Sequence, residues 1–201
     1  MTKIILTRHG HVEGIEPVRF RGRADLPLTE RGVAQAQAVA LRISSAWQPH
    51  AIYTSPMSRC VVTGEHIARA CSLAPKRLPE LNDIDYGTWQ GKTHDEVETS
   101  SPELYSMWRK APHLTRFPDG ESLQDLALRT ADAVRMVLRD HRNEGVVFVG
   151  HESVNRVLLT QCLDQPLSFY WRVSQAPCAI SEIDLDDGPR VVSMNETLHL
   201  A

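Results

Sequence analysis

Cysteine is scarce and scattered in this chain. Its four residues, Cys60, Cys71, Cys162 and Cys178, form no Cys-x-x-Cys pair and no short Cys/His spacing. That argues against structural zinc or a disulfide framework and fits a reducing, cytoplasmic setting. Long apolar runs are missing as well. No stretch approaches the ~18–20 residues that a membrane-spanning helix needs, and Ile4-Ile5-Leu6 is too short for the apolar core of a signal peptide. No membrane association is expected. Neither sign of charge dominates: 22 Lys and Arg against 25 Asp and Glu leave a net charge of −3. A nucleic-acid partner is therefore not expected, and any anion site must be a local cluster of basic residues. Glycine (11) and proline (12) are too few, and hydrophobic residues (42%) too many, for a disordered or fibrous chain. No internal repeat or low-complexity tract breaks the pattern.

What is present is enough for one sizeable core. The 201 residues give room for a single domain, residues 1–201, with a small appended cap, but not for two enzyme domains. Ile4–Thr7 reads as a short buried strand, Ala51–Thr54 as a second, and Val146–Val149, four consecutive apolar residues, as the clearest central strand. Thr29 is placed to N-cap a helix carrying Val33, Ala36, Ala40, Ile43 and Trp47 at helical spacing. Ser55 and Pro56 are read as N-cap and first residue of another helix, running to Ala70. Leu123, Leu126, Thr130, Val134, Val137 and Leu138 mark a long amphipathic helix stopped by Gly145. Ala179–Leu185 and Arg190–Met194 look like strands joined by a turn. Leu78 to Gly120 is rich in turn residues and reads as a partly helical excursion, whose segment of about 88–120 would fold over a site as a cap-like insertion. Strands alternating with helices predict an α/β fold: three layers, α/β/α, around a mostly parallel central sheet.

Three segments share one layout, a short strand followed by a polar turn: Leu6-Thr7-Arg8-His9-Gly10, Tyr53-Thr54-Ser55-Pro56-Met57-Ser58-Arg59, and Val149-Gly150-His151-Glu152. Ligands of open α/β sheets bind beyond the carboxyl ends of the strands. Parallel strands would bring Arg8, His9, Arg59 and His151 to one edge. Two guanidiniums and two imidazoles around a small volume suit a tetrahedral dianion.

These residues resemble the histidine phosphatase superfamily, in the branch that holds cofactor-dependent phosphoglycerate mutases and small phosphomonoesterases. The likeness rests on Arg8-His9-Gly10, Ser55-Pro56-x-x-Arg59, Leu81-Asn82-Asp83-x-x-Tyr86-Gly87-x-Trp89-x-Gly91 and Gly150-His151. Supporting stretches are Arg19–Arg23, Leu28–Gly32 and Gly120-Glu121-Ser122. Matching pieces run from about residue 4 to 160, in order.

The resemblance implies phosphoryl transfer through a phosphohistidine, without a metal or other cofactor, on a small-molecule phosphomonoester. His9 would attack phosphorus. Arg8, Arg59 and His151 would neutralise the equatorial oxygens. Asp83 would protonate the leaving alkoxide and later take a proton from water. A free aspartate, with pKa ~3.9, is a poor acid at neutral pH, so the role calls for burial or the phosphate's own charge to favour its protonated form. Arg8, Arg21, Gly22, Arg59, His151 and Glu152 would contact the substrate. Two departures stand out. Ile15 occupies the place of a family Asn that helps hold phosphate, with Arg21 as a candidate substitute, and Glu152-Ser153 follows Gly150-His151 where a glycine is commoner.

Other readings compete. Single strand-end histidines are more often structural than catalytic, and His50, His66, His94, His113, His141 and His199 are read that way. Asn82-Asp83 could be plain turn chemistry. Trp89 is read as core, and Arg109, Lys110 and Arg116 as solvated, unless they meet a substrate carboxylate. His9, His11, Asp83 and His151 could ligate a metal as in amidohydrolases, but those barrels run to ~250 residues, and Arg8 and Arg59 would then face a cation. A non-catalytic phospho-ligand module is favoured only by Ile15. A mutase would need a larger enclosing cap, so hydrolysis is preferred over mutase-type transfer. A homodimer formed through the late strands is left open.

Overall fold

A computed structural model of the chain describes residues 1–15 and 17–201. Six strands form one sheet: β1 (Lys3–Arg8), β2 (Ala51–Thr54), β3 (Pro75–Arg77), β4 (Gly145–Gly150), β5 (Ile180–Asp184) and β6 (Arg190–Glu196), in the order β3-β2-β4-β1-β5-β6. The first four run parallel; β5 lies antiparallel to β1, and β6 antiparallel to β5. The late strands thus pair with β1 and with each other inside one chain, and β6 ends the sheet.

The central strands are apolar on both faces because both are covered. Ile4, Leu6, Val146 and Phe148 join the core beneath α5 (Leu123–Asp140) and α6 (Glu152–Cys162). Ile5, Val147 and Val149 face the other way, against Val39, Ala40 and Ile43 of α1 (Glu30–Ala46) and Cys60, Ile67 and Ala68 of α2 (Ser58–Ala70). This is the expected three-layer α/β/α arrangement. No helix among the described residues is long and apolar enough to cross a membrane.

Residues 88–120 hold α3 (His94–Ser100) and α4 (Pro102–Lys110) with short 3₁₀ turns around them. Thr93 caps α3 with a full capping box, its hydroxyl accepting from the Glu96 N–H. Trp89, Val97, Trp108 and Phe117 bury their side chains from this segment and continue the core on the α5/α6 face. Trp89 is accordingly a core residue, 1% exposed.

Two local expectations need correction. α2 begins at Ser58, not at Pro56, and its N-cap position is Met57, which has no capping side-chain bond. The Asp25 carboxylate supplies the cap from another loop, accepting from the N–H and hydroxyl of Ser58 at 2.9 and 2.8 Å. Ser55 is thereby released for a different contact. α5 ends at Asp140, well before Gly145, where His141 swings in to bond the Tyr53 hydroxyl (2.7 Å) and Glu144 (2.7 Å). Of its predicted stripe, Leu138 is exposed and Ala133 is buried instead.

Candidate active site

Strand register brings the chemistry together. Arg8 pairs with Gly150 and Thr54 with Val149, so the chain leaves β1, β4 and β2 along one edge of the sheet. The His9 N–H donates to the Gly150 carbonyl (3.0 Å) and the Ser55 N–H to that of Val149 (2.9 Å), extending the ladder one residue into the turns. Gly10 lets the first turn approach α1. A Cβ there would lie 2.3 Å from the Gly32 carbonyl oxygen, and a Cβ on Gly32 would lie 2.1 Å from that of His11.

Arg8, His9, Arg59 and His151 meet at this edge, none more than 4% exposed. The two imidazoles sit edge to face with centroids 5.2 Å apart. Burial, reinforced by His151, Arg59 and Arg8, holds His9 well below the ordinary histidine range. Its Nδ1 lies 2.7 Å from the Gly10 carbonyl, which can only accept, so the proton resides on Nδ1 and Nε2 carries the lone pair. Burial and the surrounding arginines likewise keep His151 neutral. Arg59 donates Nε–H to its Nδ1 at 3.3 Å, which leaves the His151 proton on Nε2, directed at Ser55 Oγ, 2.9 Å away. Cys60 Sγ is 3.4 Å from the same nitrogen, and burial pushes its thiol up, so it stays a thiol.

Arg59 is held by backbone as well as side chains. It donates to the carbonyls of Ala24 and Gly22, each at 2.7 Å, and to Asp83 Oδ2 at 3.2 Å. Gly22 supplies its carbonyl from a positive φ of 44°, where a Cβ would come 2.8 Å from the Ile84 oxygen. Arg8 donates to the Gln175 carbonyl (2.7 Å) and pairs with Glu152 (3.1 Å), while its buried Nε finds no acceptor among the described residues. Asp83 is 7% exposed; beyond Arg59 it approaches His151 Nδ1 (3.5 Å), the Ile84 N–H (2.9 Å) and the Ser153 hydroxyl.

A cavity of about 540 Å³ opens outward from this cluster. Arg21, Gly22, Asp83, Glu152 and Ser153 are in its wall; Arg8, His9, Arg59 and His151 are not. Glu152, expected to contact substrate, lines it but is engaged with Arg8 and, at 2.6 Å, with Arg156. Arg21 lines it too, tied to the Gly14 carbonyl at 2.6 Å. Ile15 is not in the wall. Arg109 is exposed yet lines the cavity over Trp171, whereas Arg116 pairs with Asp125 at 2.8 Å. His94, read as a surface or structural residue, lies stacked on Phe20 in the wall. His11 turns away: its Nδ1 bonds Thr29 Oγ1 at 2.9 Å beside α1, which removes it from the metal-ligand set considered above.

Three contributors escaped the sequence reading. Ser153 touches Asp83 directly. Arg129, from α5, donates to the carbonyls of Glu80 (2.8 Å), Asn82 (2.5 Å) and Asp83 (3.1 Å) and pairs with Glu121 (3.0 Å), clamping the loop that carries Asp83. Gln175 orients Arg8 through its carbonyl. Arg129 looks like any charge on an amphipathic helix; only Glu121, within the Gly120-Glu121-Ser122 stretch, hinted that the region mattered.

A buried histidine nucleophile candidate flanked by two arginines and a second histidine, at the carboxyl edge of a mostly parallel sheet, defines a histidine phosphatase site. The chain belongs to the histidine phosphatase superfamily (branch 1), whose family model matches residues 4–197. It is 32% identical to Phosphoserine phosphatase 1 of Hydrogenobacter thermophilus over 100% of this chain and 95% of that protein. It is 33% identical to the "Probable phosphoglycerate mutase GpmB" of Proteus mirabilis over 94% of this chain and 87% of that one. The phosphoserine phosphatase of Entamoeba histolytica, solved with 3-phosphoglyceric acid, superposes with a TM-score of 0.90 at 26% identity, covering 100% of both chains. This chain is a phosphoric monoester hydrolase of that family.

Proposed function

We propose that this protein hydrolyses small phosphomonoesters through a phosphohistidine on His9, without a metal, and that phosphoserine is the first substrate to try. The observation that carries the reading is the His9 imidazole: neutral by burial, with Nδ1–H committed to the Gly10 carbonyl and Nε2 left with its lone pair. The substrate comes from the names of the relatives. The cavity supports it, since Arg21 and Arg109 in its wall suit an alcohol that carries a carboxylate.

In the reaction His9 Nε2 attacks phosphorus in line, forming an N–P bond as the ester P–O bond breaks. Asp83 gives its proton to the departing oxygen. Water then attacks the phosphohistidine, Asp83 takes the water's proton, and inorganic phosphate leaves with His9 restored. Arg8 and Arg59, the fixed cations, offset charge on the equatorial oxygens and do electrostatically what a metal does elsewhere, with the neutral imidazole of His151 as a polar neighbour. Entry of the dianion repels Asp83 and attracts Arg59, so it replaces the 3.2 Å contact between them. The four unpaired cysteines support a reducing, cytoplasmic setting.

The test is phosphate release from phosphoserine, phosphoglycerate and simple alkyl phosphates in excess EDTA, with His9→Ala alongside. Turnover that survives EDTA and falls at least ~10³-fold in the variant is expected, together with acid-labile label trapped on the parent. Undiminished turnover by His9→Ala would refute the nucleophile. Isomerised phosphoglycerate with no free phosphate would turn the reading to the mutase chemistry named for the Proteus mirabilis relative.

A further inference from the structure

Ser153 is the second residue of α6, 3% exposed, and Asp83 Oδ1 accepts a hydrogen bond from its hydroxyl. The Ile84 N–H grips the same oxygen at 2.9 Å, while Oδ2 faces Arg59 Nη2 at 3.2 Å and His151 Nδ1 at 3.5 Å. Asp83 and Ser153 stand side by side in the wall of the cavity. The carboxyl is thus fixed at both oxygens, but its neighbours are not equivalent. Arg59 and the Ile84 N–H can only donate, so they hold a carboxylate and offer nothing to a protonated acid, and His151 Nδ1, whose lone pair already accepts from Arg59, lies 3.5 Å away at the limit of hydrogen-bond reach. A hydroxyl donates to the carboxylate and accepts from the acid.

We propose that Ser153 is the positioning residue of the general acid: it holds the Asp83 carboxyl against the ester oxygen both when it carries the proton and after that proton has gone to the leaving alkoxide. The inference rests on the reading of Asp83 as proton donor. The hydroxyl takes no net part in the chemistry. The proton passes from Asp83 to the ester oxygen as the P–O bond breaks, and returns from the attacking water. Of Glu152 and Ser153, which follow Gly150-His151, Glu152 takes the place of the commoner glycine but is occupied with Arg8 and Arg156. Ser153 is the one of the two that reaches the acid.

Leaving groups distinguish positioning from structural support. An alkyl alcohol must be protonated as it departs, whereas p-nitrophenolate leaves as an anion. kcat/KM, which reports the step that phosphorylates His9, is measured for an alkyl phosphate and for p-nitrophenyl phosphate in the parent, Ser153→Ala, Ser153→Thr and Asp83→Asn. Ser153→Ala is expected to lose ~10–100-fold on the alkyl ester, at least ~10-fold more than on the aryl ester, and Ser153→Thr to recover most of the loss. If Ser153→Ala does not fold, as judged by circular dichroism, Ser153→Cys is read in the same way. Equal losses on the two esters in the Ser153 variant, with unequal losses in Asp83→Asn, would overturn the role of Ser153 and leave Asp83 as the acid. Equal losses in Asp83→Asn would remove the acid itself, and the inference with it.

Discussion

An imidazole can hold its proton on either nitrogen, and at both histidines of this site the neighbours choose. The Gly10 carbonyl selects Nδ1–H for His9, and the Arg59 Nε–H selects Nε2–H for His151. Each choice costs nothing in the sequence, because one partner is backbone and the other belongs to a different strand-end segment. Arg129 works at the same scale. Its guanidinium gathers three carbonyls of residues 80–83 and the Glu121 carboxylate, which also holds the Asp85 N–H at 2.9 Å. Arg129→Met keeps the aliphatic stem and strips the donors, leaving those acceptors without their partner. We expect a loss of about 2–4 kcal/mol in urea unfolding and a fall in kcat larger than any rise in KM. An unchanged unfolding midpoint would show the clamp to be dispensable.

At the scale of elements, the site depends on how closely a turn can approach a helix. The turn after β1 and the start of α1 interlock through Gly10 and Gly32 because neither carries a side chain. Gly32→Ala is expected to cost about 1–3 kcal/mol, the usual range for forced overpacking, and to lower activity by shifting His9; a variant as stable as the parent would mean that the turn can yield. α2 shows the complementary case. Ser-Pro at positions 55 and 56 has the local signature of a helix start, yet Asp25 caps the helix at Ser58, from 33 residues away, and Ser55 faces His151. Local propensity placed the helix correctly and its first turn wrongly, because a tertiary cap outcompeted a local one.

Charge burial acts on the whole molecule. Unfolded, His9 and His151 titrate near ~6.5; folded, both lie well below it, through burial and the nearby cations. Between those values the unfolded chain binds more protons, so stability rises with pH across that window. It is complete above about pH 6.5 and is lost as pH falls below, by up to about 1.4 kcal/mol per pH unit for each histidine. Unfolding free energies followed from pH 8 to pH 5 in phosphate-free buffer should show this fall, and His151→Asn should flatten it. A profile level down to pH 5 would contradict the burial argument.

The sequence by itself determined every strand of the sheet except β3, a three-residue edge strand with no apolar run, together with the alternation of helices with strands and the candidates for a dianion site. Apolar runs, helical spacing and strand-end motifs are local properties that survive without a fold. Arg8, His9, Arg59, Asp83 and His151 could be named because their motifs are short and ordered along the chain. The tertiary structure alone decided the rest: that β5 and β6 close the sheet within the chain, that Asp25 starts α2, that Arg129 grips the Asp83 loop, and which nitrogen of each histidine carries a proton. Each depends on a carbonyl, carboxylate or guanidinium brought close in space from a distant part of the chain, and residue spacing carries no record of such encounters.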